Sequence, residues 1–245
     1  MSVSLFPPSK FPGIRILRLI LNKSKNRKTV TVRDLAERTR VDKRKLYAAL
    51  QILSAMGVIK KTRKGRINVY EFQRFRGDLL REFLANKEVK SVFQFLFKGI
   101  GVVNKLARIV YKRRREALST KASRVRCILE FGESLKLCQK NKQYFLTNKG
   151  RRTIFSMFIE DVYEEISREH QNPNVKIGDI REKICKLLNV SFSEFNKGFL
   201  KVLRFHKGIL AFKAPLFDES VLKEGIKTSS GILHYIQISS FKWRV

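Results

Sequence analysis

Arg44 and Gln51 stand seven residues apart in the segment DKRKLYAALQILSA, with Tyr47 between them and Lys43 and Lys45 flanking the arginine. On a helix that spacing returns to the same face two turns on. Arginine and glutamine are the side chains whose paired hydrogen-bonding groups fit the major-groove edges of guanine and adenine. Ala48 and Ala55 fall on the same outward row, and small residues there let a helix backbone approach a groove floor. Further on, KKTRKGR places Lys60, Lys61, Arg63, Lys64 and Arg66 around Gly65. Such a cluster suits phosphate oxygens rather than bases.

The sequence offers no comparable arrangement for bond-making chemistry. Its histidines are His170, His206 and His234, and none has the spacing of a zinc site. Neither a phosphate-cradling GxxxxGK[ST] nor a GxSxG occurs. Asp161, Glu164 and Glu165 share one helical face without a lysine placed as in metal-dependent nucleases, so they read as a solvated acidic face. Cys127, Cys138 and Cys185 are far apart among apolar neighbours and read as buried, reduced thiols. A non-enzymatic protein is expected, with no cofactor and no metal.

Charge points the same way. The 245 residues carry 53 Lys and Arg against 21 Asp and Glu, a formal net charge of +32. A field of that sign and size attracts polyanions: DNA, RNA or an anionic membrane surface. It is uneven, with 19 basic against 4 acidic residues over 1–75, 18 against 6 over 76–150 and 16 against 11 over 151–245. The polyanion contact is therefore expected in the first 150 residues. No run approaches the ~20 apolar residues that span a bilayer, and MSVSLFPPSKFPG lacks the apolar core of a signal peptide. An intracellular protein of the cytoplasm or nucleoid is expected, with no membrane partner.

The elements that would position Arg44 and Gln51 can be read outward from them. Asp42 is a good N-cap for a helix Lys43–Met56, whose core stripe is Leu46, Ala49, Leu50 and Leu53. Gly57 stops it, Val58-Ile59 lead into a hairpin with the basic turn at its tip, and Ile67–Phe72 alternates as the closing strand. Upstream lie a short strand, Thr29–Val32, and a helix, Asp34–Thr39. A dense apolar helix from Ile14 would pack behind this pair. The order of helix, turn, capped helix, glycine stop and basic hairpin resembles a winged helix-turn-helix. That resemblance implies duplex DNA binding through the second helix, with the hairpin, or wing, on phosphates or a minor groove. The superfamily also includes modules that bind RNA or only proteins.

Less specific versions of the pattern follow. Residues 1–12 read as an arm without regular structure, and the loop 22–28, with Lys25, Arg27 and Lys28, as either a solubilising connection or a phosphate contact. Helices are expected over Asp78–Leu84, Glu88–Phe97 and Val102–Tyr111, with Phe93, Phe95 and Phe97 in a core. The run Lys112, Arg113, Arg114 and Arg115 reads either as a phosphate clamp or as a solvated helix end. Residues 119–152 resemble the back half of another winged helix, capped at Ser119 or Thr120 and closing on a strand Tyr144–Arg151. Its second helix would turn Ser123, Cys127, Glu130 and Ser134 outward, and Glu130 would oppose phosphate. A long amphipathic helix, Thr153–His170, precedes a third pass: a short strand Val175–Ile177, a helix capped by Asp179, and an SxxE capping box at Ser191 and Glu194 opening a helix to Phe205. Strands Ile209–Phe212 and Ile232–Ser239 close it across a long loop, Ala214–Ser230. Trp243 reads as a packing anchor.

The expected fold is mainly α with small β-hairpins (α+β), in two or three tandem winged-helix domains. Residues 1–75 would form a DNA-binding domain with an N-terminal arm, 76–152 a helical segment ending in a second winged helix, and 153–245 a long helix with a C-terminal winged-helix-like domain. The expected function is duplex DNA binding by a transcription regulator or a replication or plasmid-type initiator. Arg44, Tyr47 and Gln51 would read bases in the major groove, while Lys43, Lys45 and the wing Lys60–Arg66 hold phosphates. The alternative is an RNA-binding or adaptor subunit of a ribonucleoprotein or defence complex, using the basic surface non-specifically. Residues 153–245 would supply a homodimer contact or a site for a protein partner.

Overall fold

The structure, a computed structural model, describes residues 6–24, 29–65, 67–73, 78–205, 208–213 and 224–238. It is an α+β protein with small antiparallel sheets, divided into two compact units, Met1–Thr147 and Asn148–Val245.

The first unit begins with α1 (Ile14–Ser24), β1 (Thr29–Thr31), α2 (Val32–Thr39), α3 (Lys43–Ala55), β2 (Ile59–Lys64) and β3 (Ile67–Phe72). The sheet order is β1-β3-β2, all antiparallel. Local chemistry fixes each boundary. Thr31 and Asp34 form a reciprocal capping box at the start of α2. The Asp42 carboxylate accepts from the Arg44 and Lys45 backbone N–H groups (2.9 and 3.4 Å) and so caps α3. Gly57, at φ 74°, turns the chain so that Val58 N donates to Leu53 O at 2.9 Å, which ends the helix. Leu17, Ile20, Leu35, Leu46, Leu50 and Leu53 are fully or almost fully buried behind α3.

The same order then recurs in reduced form. It comprises α4 (Leu79–Ala85), α5 (Lys87–Phe97), α6 (Val103–Val110), α7 (Leu118–Ser134), β4 (Cys138–Lys140) and β5 (Tyr144–Leu146). The place taken by β1 in the first pass is held by Gly101, whose carbonyl accepts from Tyr144 N at 3.0 Å. Two expectations fail here. The first residue of α7 is Leu118, its N-cap position is Ala117 without a side-chain bond, and neither Ser119 nor Thr120 caps it. The closing strand ends at Leu146 because the chain turns helical at Asn148.

The described part of the arm, from Phe6, is held against the helices. Phe6 is fully buried, with its ring edge-on to Phe83 (6.1 Å) and its N–H on Glu88 Oε2 (3.1 Å). Its carbonyl accepts from Arg124 Nη1. Phe11 stacks on Phe131 at 4.9 Å and 18°, and its N–H reaches Glu130 Oε2 (3.2 Å). The arm is thus a strap across α4, α5 and α7.

The second unit contains α8 (Asn148–His170), β6 (Val175–Lys176), α9 (Ile177–Leu188), α10 (Phe192–Phe205), β7 (Ile209–Lys213), β8 (Ile226–Thr228) and β9 (Gly231–Ile238). The sheet path is β6-β9-β7 with β8 also on β9, so helix, strand, helix, helix and hairpin follow one another as in the first pass. The long helix starts five residues earlier than expected, at Asn148, and Gly150 and Thr153 are buried in its first turns. Asp179 lies inside the first turn of α9 rather than at its cap, which is Lys176 without a side-chain bond. Ser191 and Glu194 do form the reciprocal capping box (2.9 and 3.2 Å). The loop expected over Ala214–Ser230 contains β8, an unforeseen strand registered as Ile226↔Leu233 and Thr228↔Gly231.

Candidate nucleic-acid interface

Lys43, Arg44, Lys45, Tyr47 and Gln51 are all exposed on α3, while Leu46, Ala49, Leu50 and Leu53 face the core. From Lys43 to Tyr70 the chain contains no Asp or Glu, so nothing acidic on α3 or β2 offsets this row. Ala55 leaves it. It is buried, and its carbonyl accepts from Asn86 Nδ2 at 2.8 Å. The second pass packs over the C-terminal end of α3, which confines the accessible row to the first three turns.

The hairpin divides its cations between two faces. Opposed residues of an antiparallel pair project to the same side of a sheet. Lys61 opposes Tyr70 and Arg63 opposes Asn68, on the side that carries buried Tyr70 and Val30 toward the helices. Lys60 opposes Glu71 and so lies on the other side, with a carboxylate as its neighbour. Lys61 and Arg63 therefore join the α3 row and Lys60 does not. The Lys64 side chain and Arg66 lie outside the described residues, as do Lys25, Arg27 and Lys28.

A cavity of about 340 Å³ opens beside this row, lined by Gln51, Ser54, Lys61, Tyr70, Arg124 and the arm residues Pro7 and Pro8. Burial raises the Tyr70 hydroxyl pKa, and nearby Tyr47 adds to the shift. The phenol therefore stays protonated at neutral pH and can donate a hydrogen bond. Arg124 is committed: it pairs with Glu116 at 3.1 Å and donates to Phe6 O. The sequence reading missed Ser54, Tyr70 and the arm as neighbours of Gln51, because strand register and a fold-back from residue 6 set those contacts.

The corresponding face of α7 is occupied from within. Cys127, expected outward, is fully buried. Glu130 holds Phe11 N instead of standing free to repel phosphate. The arm has taken the surface that α3 leaves open. Burial pushes the Cys127 and Cys138 thiols up to about 12, with Glu130 and Glu133 adding to the respective shifts. Burial raises Cys185 too. All three are buried and free, so none offers a thiolate at neutral pH.

A second basic surface lies on α6 and the turn after it. Lys105, Arg108, Lys112, Arg113, Arg114 and Arg115 are all exposed. No acidic residue occurs between Glu88 and Glu116. Lys105 and Arg108 extend the expected run back by two helical turns, and their i, i+3 spacing could have revealed them. On α10, Ser193, Lys197, Lys201 and Arg204 are exposed and Leu200 is half-buried.

Among the described residues no group of His, Cys, Asp and Glu is placed to hold a metal ion, and no helix is long and apolar enough to cross a membrane. No protein-family model matches the chain, and no curated protein matches it either.

Proposed function

We propose that this chain is a non-enzymatic duplex-DNA-binding protein built from tandem winged-helix modules, and that α3 is its reading helix. The carrying observation is the acid-free exposed row Lys43, Arg44, Lys45, Tyr47 and Gln51, joined by Lys61 and Arg63 from the same side of the hairpin. Order and register support the module: helix, strand, two helices and a hairpin, with the first strand pairing to the last. Arg44 and Gln51 read base edges; Lys43, Lys45, Lys61 and Arg63 hold phosphates. The second pass, its helix face under the arm, serves as a platform for the first. A transcription regulator or a replication or plasmid-type initiator fits this division of labour.

Selection of bound sequences from a random duplex pool tests the reading. The expected result is an enriched motif, and Arg44→Ala should relax one position of it at a cost of roughly 1–3 kcal/mol. Affinity should fall on the order of 10³-fold between about 50 and 200 mM salt if ~6–10 phosphates are contacted. An Arg44→Ala protein that binds every sequence as the parent does would refute the assignment.

A second reading is favoured by the six exposed cations on α6 and its following turn. They extend the polyanion contact beyond a reading helix, as an RNA-coating adaptor of a ribonucleoprotein or defence complex would require. An absence of enrichment from the duplex pool, together with tighter binding to structured RNA, would select it.

A further inference from the structure

We infer that the outer face of the β7–β9 sheet in the second unit is a binding surface for single-stranded nucleic acid, with Phe212 and Tyr235 as its stacking platform. Phe212 opposes Tyr235 and Leu210 opposes Gln237. These four residues therefore share one face, while Ile209 and Ile236, on the alternate face, are buried in the core. Phe212 is 41 % exposed and Leu210 47 % exposed. Asn172 and Asn174, from the turn after α8, join Phe212, Tyr235 and Gln237 around a groove of about 560 Å³.

The first unit provides an internal control. Val30 opposes Tyr70 there as Val175 opposes Ile236 here, and both pairs are buried. The outer face of the first sheet accordingly carries Lys60, Glu71 and Thr62 together with Val69 and the exposed Ile67, and no aromatic ring. The same strand order is thus built without a ring on its outer face, so the fold does not require the rings of Phe212 and Tyr235.

Three carboxamides around two aromatic rings suit nucleobases, which stack through their faces and hydrogen-bond through their edges. Asn172 Oδ1 already accepts from Asn174 N (2.8 Å) and thereby sets the turn. Its amide nitrogen and the Asn174 and Gln237 amides supply the edge contacts. Lys176 opposes Tyr235 and is exposed beside the groove, while Lys213, exposed just after Phe212, runs its side chain along Gly231 further up β9. Lys176 also lies 3.8 Å from Glu224, an exposed pair that leaves its charge available to a phosphate. A positively charged margin on a strongly basic chain favours a polyanion over an apolar protein face. Paired bases inside a duplex could not reach these rings, so the occupant is a single strand. This site does not depend on α3 reading a duplex.

The test is fluorescence anisotropy on the full chain with labelled oligo-dT and oligo-U of about 12 nucleotides, at about 150 mM salt, beside a duplex probe. Phe212→Ala should weaken binding of at least one of the oligomers by about tenfold or more, Tyr235→Ala similarly, while Phe212→Trp retains it. Duplex affinity should stay unchanged in all three. Arg44→Ala should leave oligomer binding unchanged, so a failure of the α3 assignment is seen separately. The inference is overturned if the parent binds neither oligomer, if Phe212→Ala binds them as the parent does, or if it loses duplex and oligomer equally. It is also overturned if Phe212→Ala alters only self-association in sedimentation, which would make the face a contact between copies.

Discussion

Lys61 opposes Tyr70 directly across the β2–β3 hairpin, so its side chain leaves the sheet on the side of α3. Its neighbour Lys60 opposes Glu71 and leaves on the other side. Two adjacent lysines of one basic run are therefore inequivalent. Under the proposed reading, Lys61→Gln should weaken duplex binding at every sequence and lower the salt slope by about 1, the signature of one lost phosphate contact. Lys60→Gln should change the slope by much less. Titrations at several salt concentrations separate the two, and equal slopes for both variants would mean that the hairpin approaches DNA edge-on.

The arm has a measurable stability role. Phe6 is fully buried against Phe83, its carbonyl satisfies Arg124, and its N–H is held by Glu88. Phe6→Ala should cost about 3–5 kcal/mol, the range for a large aromatic truncated in a core. Hydrogen exchange should then rise along α7, where Arg124, Glu130 and Phe131 meet the strap. An unfolding midpoint within error of the parent would show that the arm is not docked in solution.

Glu88 links that strap to pH. Its Oε2 accepts from both Phe6 N and Tyr111 Oη at 3.1 Å. Burial nonetheless raises its pKa above the ordinary 4.5, against the opposing effects of these bonds and of Arg124 and Arg114. A carboxyl raised in the folded state binds its proton more readily there than in the unfolded chain. Its contribution therefore grows as pH falls through the folded pKa toward 4.5, and its penalty is complete above the folded value. Glu88→Gln keeps an acceptor and has no charge to bury. Compared with Glu88→Gln, the parent should gain stability as pH falls from neutral toward 4.5. Glu88→Ala, which strips both donors, should lose about 1–3 kcal/mol at neutral pH. Urea unfolding across that window checks both, and a parent that loses stability relative to Glu88→Gln on acidification would reverse the sign argued here.

What could be read from sequence was local. Asp42, Gly57 and the Ser191–Glu194 pair set helix ends through contacts only a few residues long, and the boundaries of α3 and α10 follow from them together with the Leu46–Leu53 stripe. On the outward face of α7 Ser134 is exposed as expected, but Glu130 was misread because a residue over 100 positions upstream covers it: Phe11 meets Glu130 and Phe131. The α3 row lost Ala55 in the same way, to Asn86. Periodicity tells which face of a helix is apolar, but not which polar face another segment will claim. The two-faced hairpin was hidden for a related reason, since Lys60 and Lys61 differ only through strand register. The third sheet was different: β7 reads Ile-Leu-Ala-Phe, apolar at every position from 209 to 212, so the sequence could have marked Leu210 and Phe212 as apolar residues on an outer face.

Gly101 tests whether the middle pass is built like its neighbours. It stands where β1 and β6 stand in the other two, and its carbonyl takes the Tyr144 N–H at 3.0 Å. A Cβ added at this position would overlap the Tyr144 carbonyl oxygen, a backbone atom that cannot rotate aside. Relief requires β5 to move away, which breaks the Gly101–Tyr144 hydrogen bond and shifts Tyr144, itself buried, within the core. Gly101→Ala should therefore destabilise the first unit by about 1–3 kcal/mol or more, the range for overpacking a tight site. Gly99→Ala offers a contrast, since a Cβ there meets no atom within 4 Å and only its φ of 85° is strained. Its cost should stay near the 1–2 kcal/mol of a left-handed non-glycine residue. If Gly101→Ala unfolds at the parent's midpoint, the contact between Gly101 and β5 does not exist in solution, and the middle pass is helices with a detached hairpin.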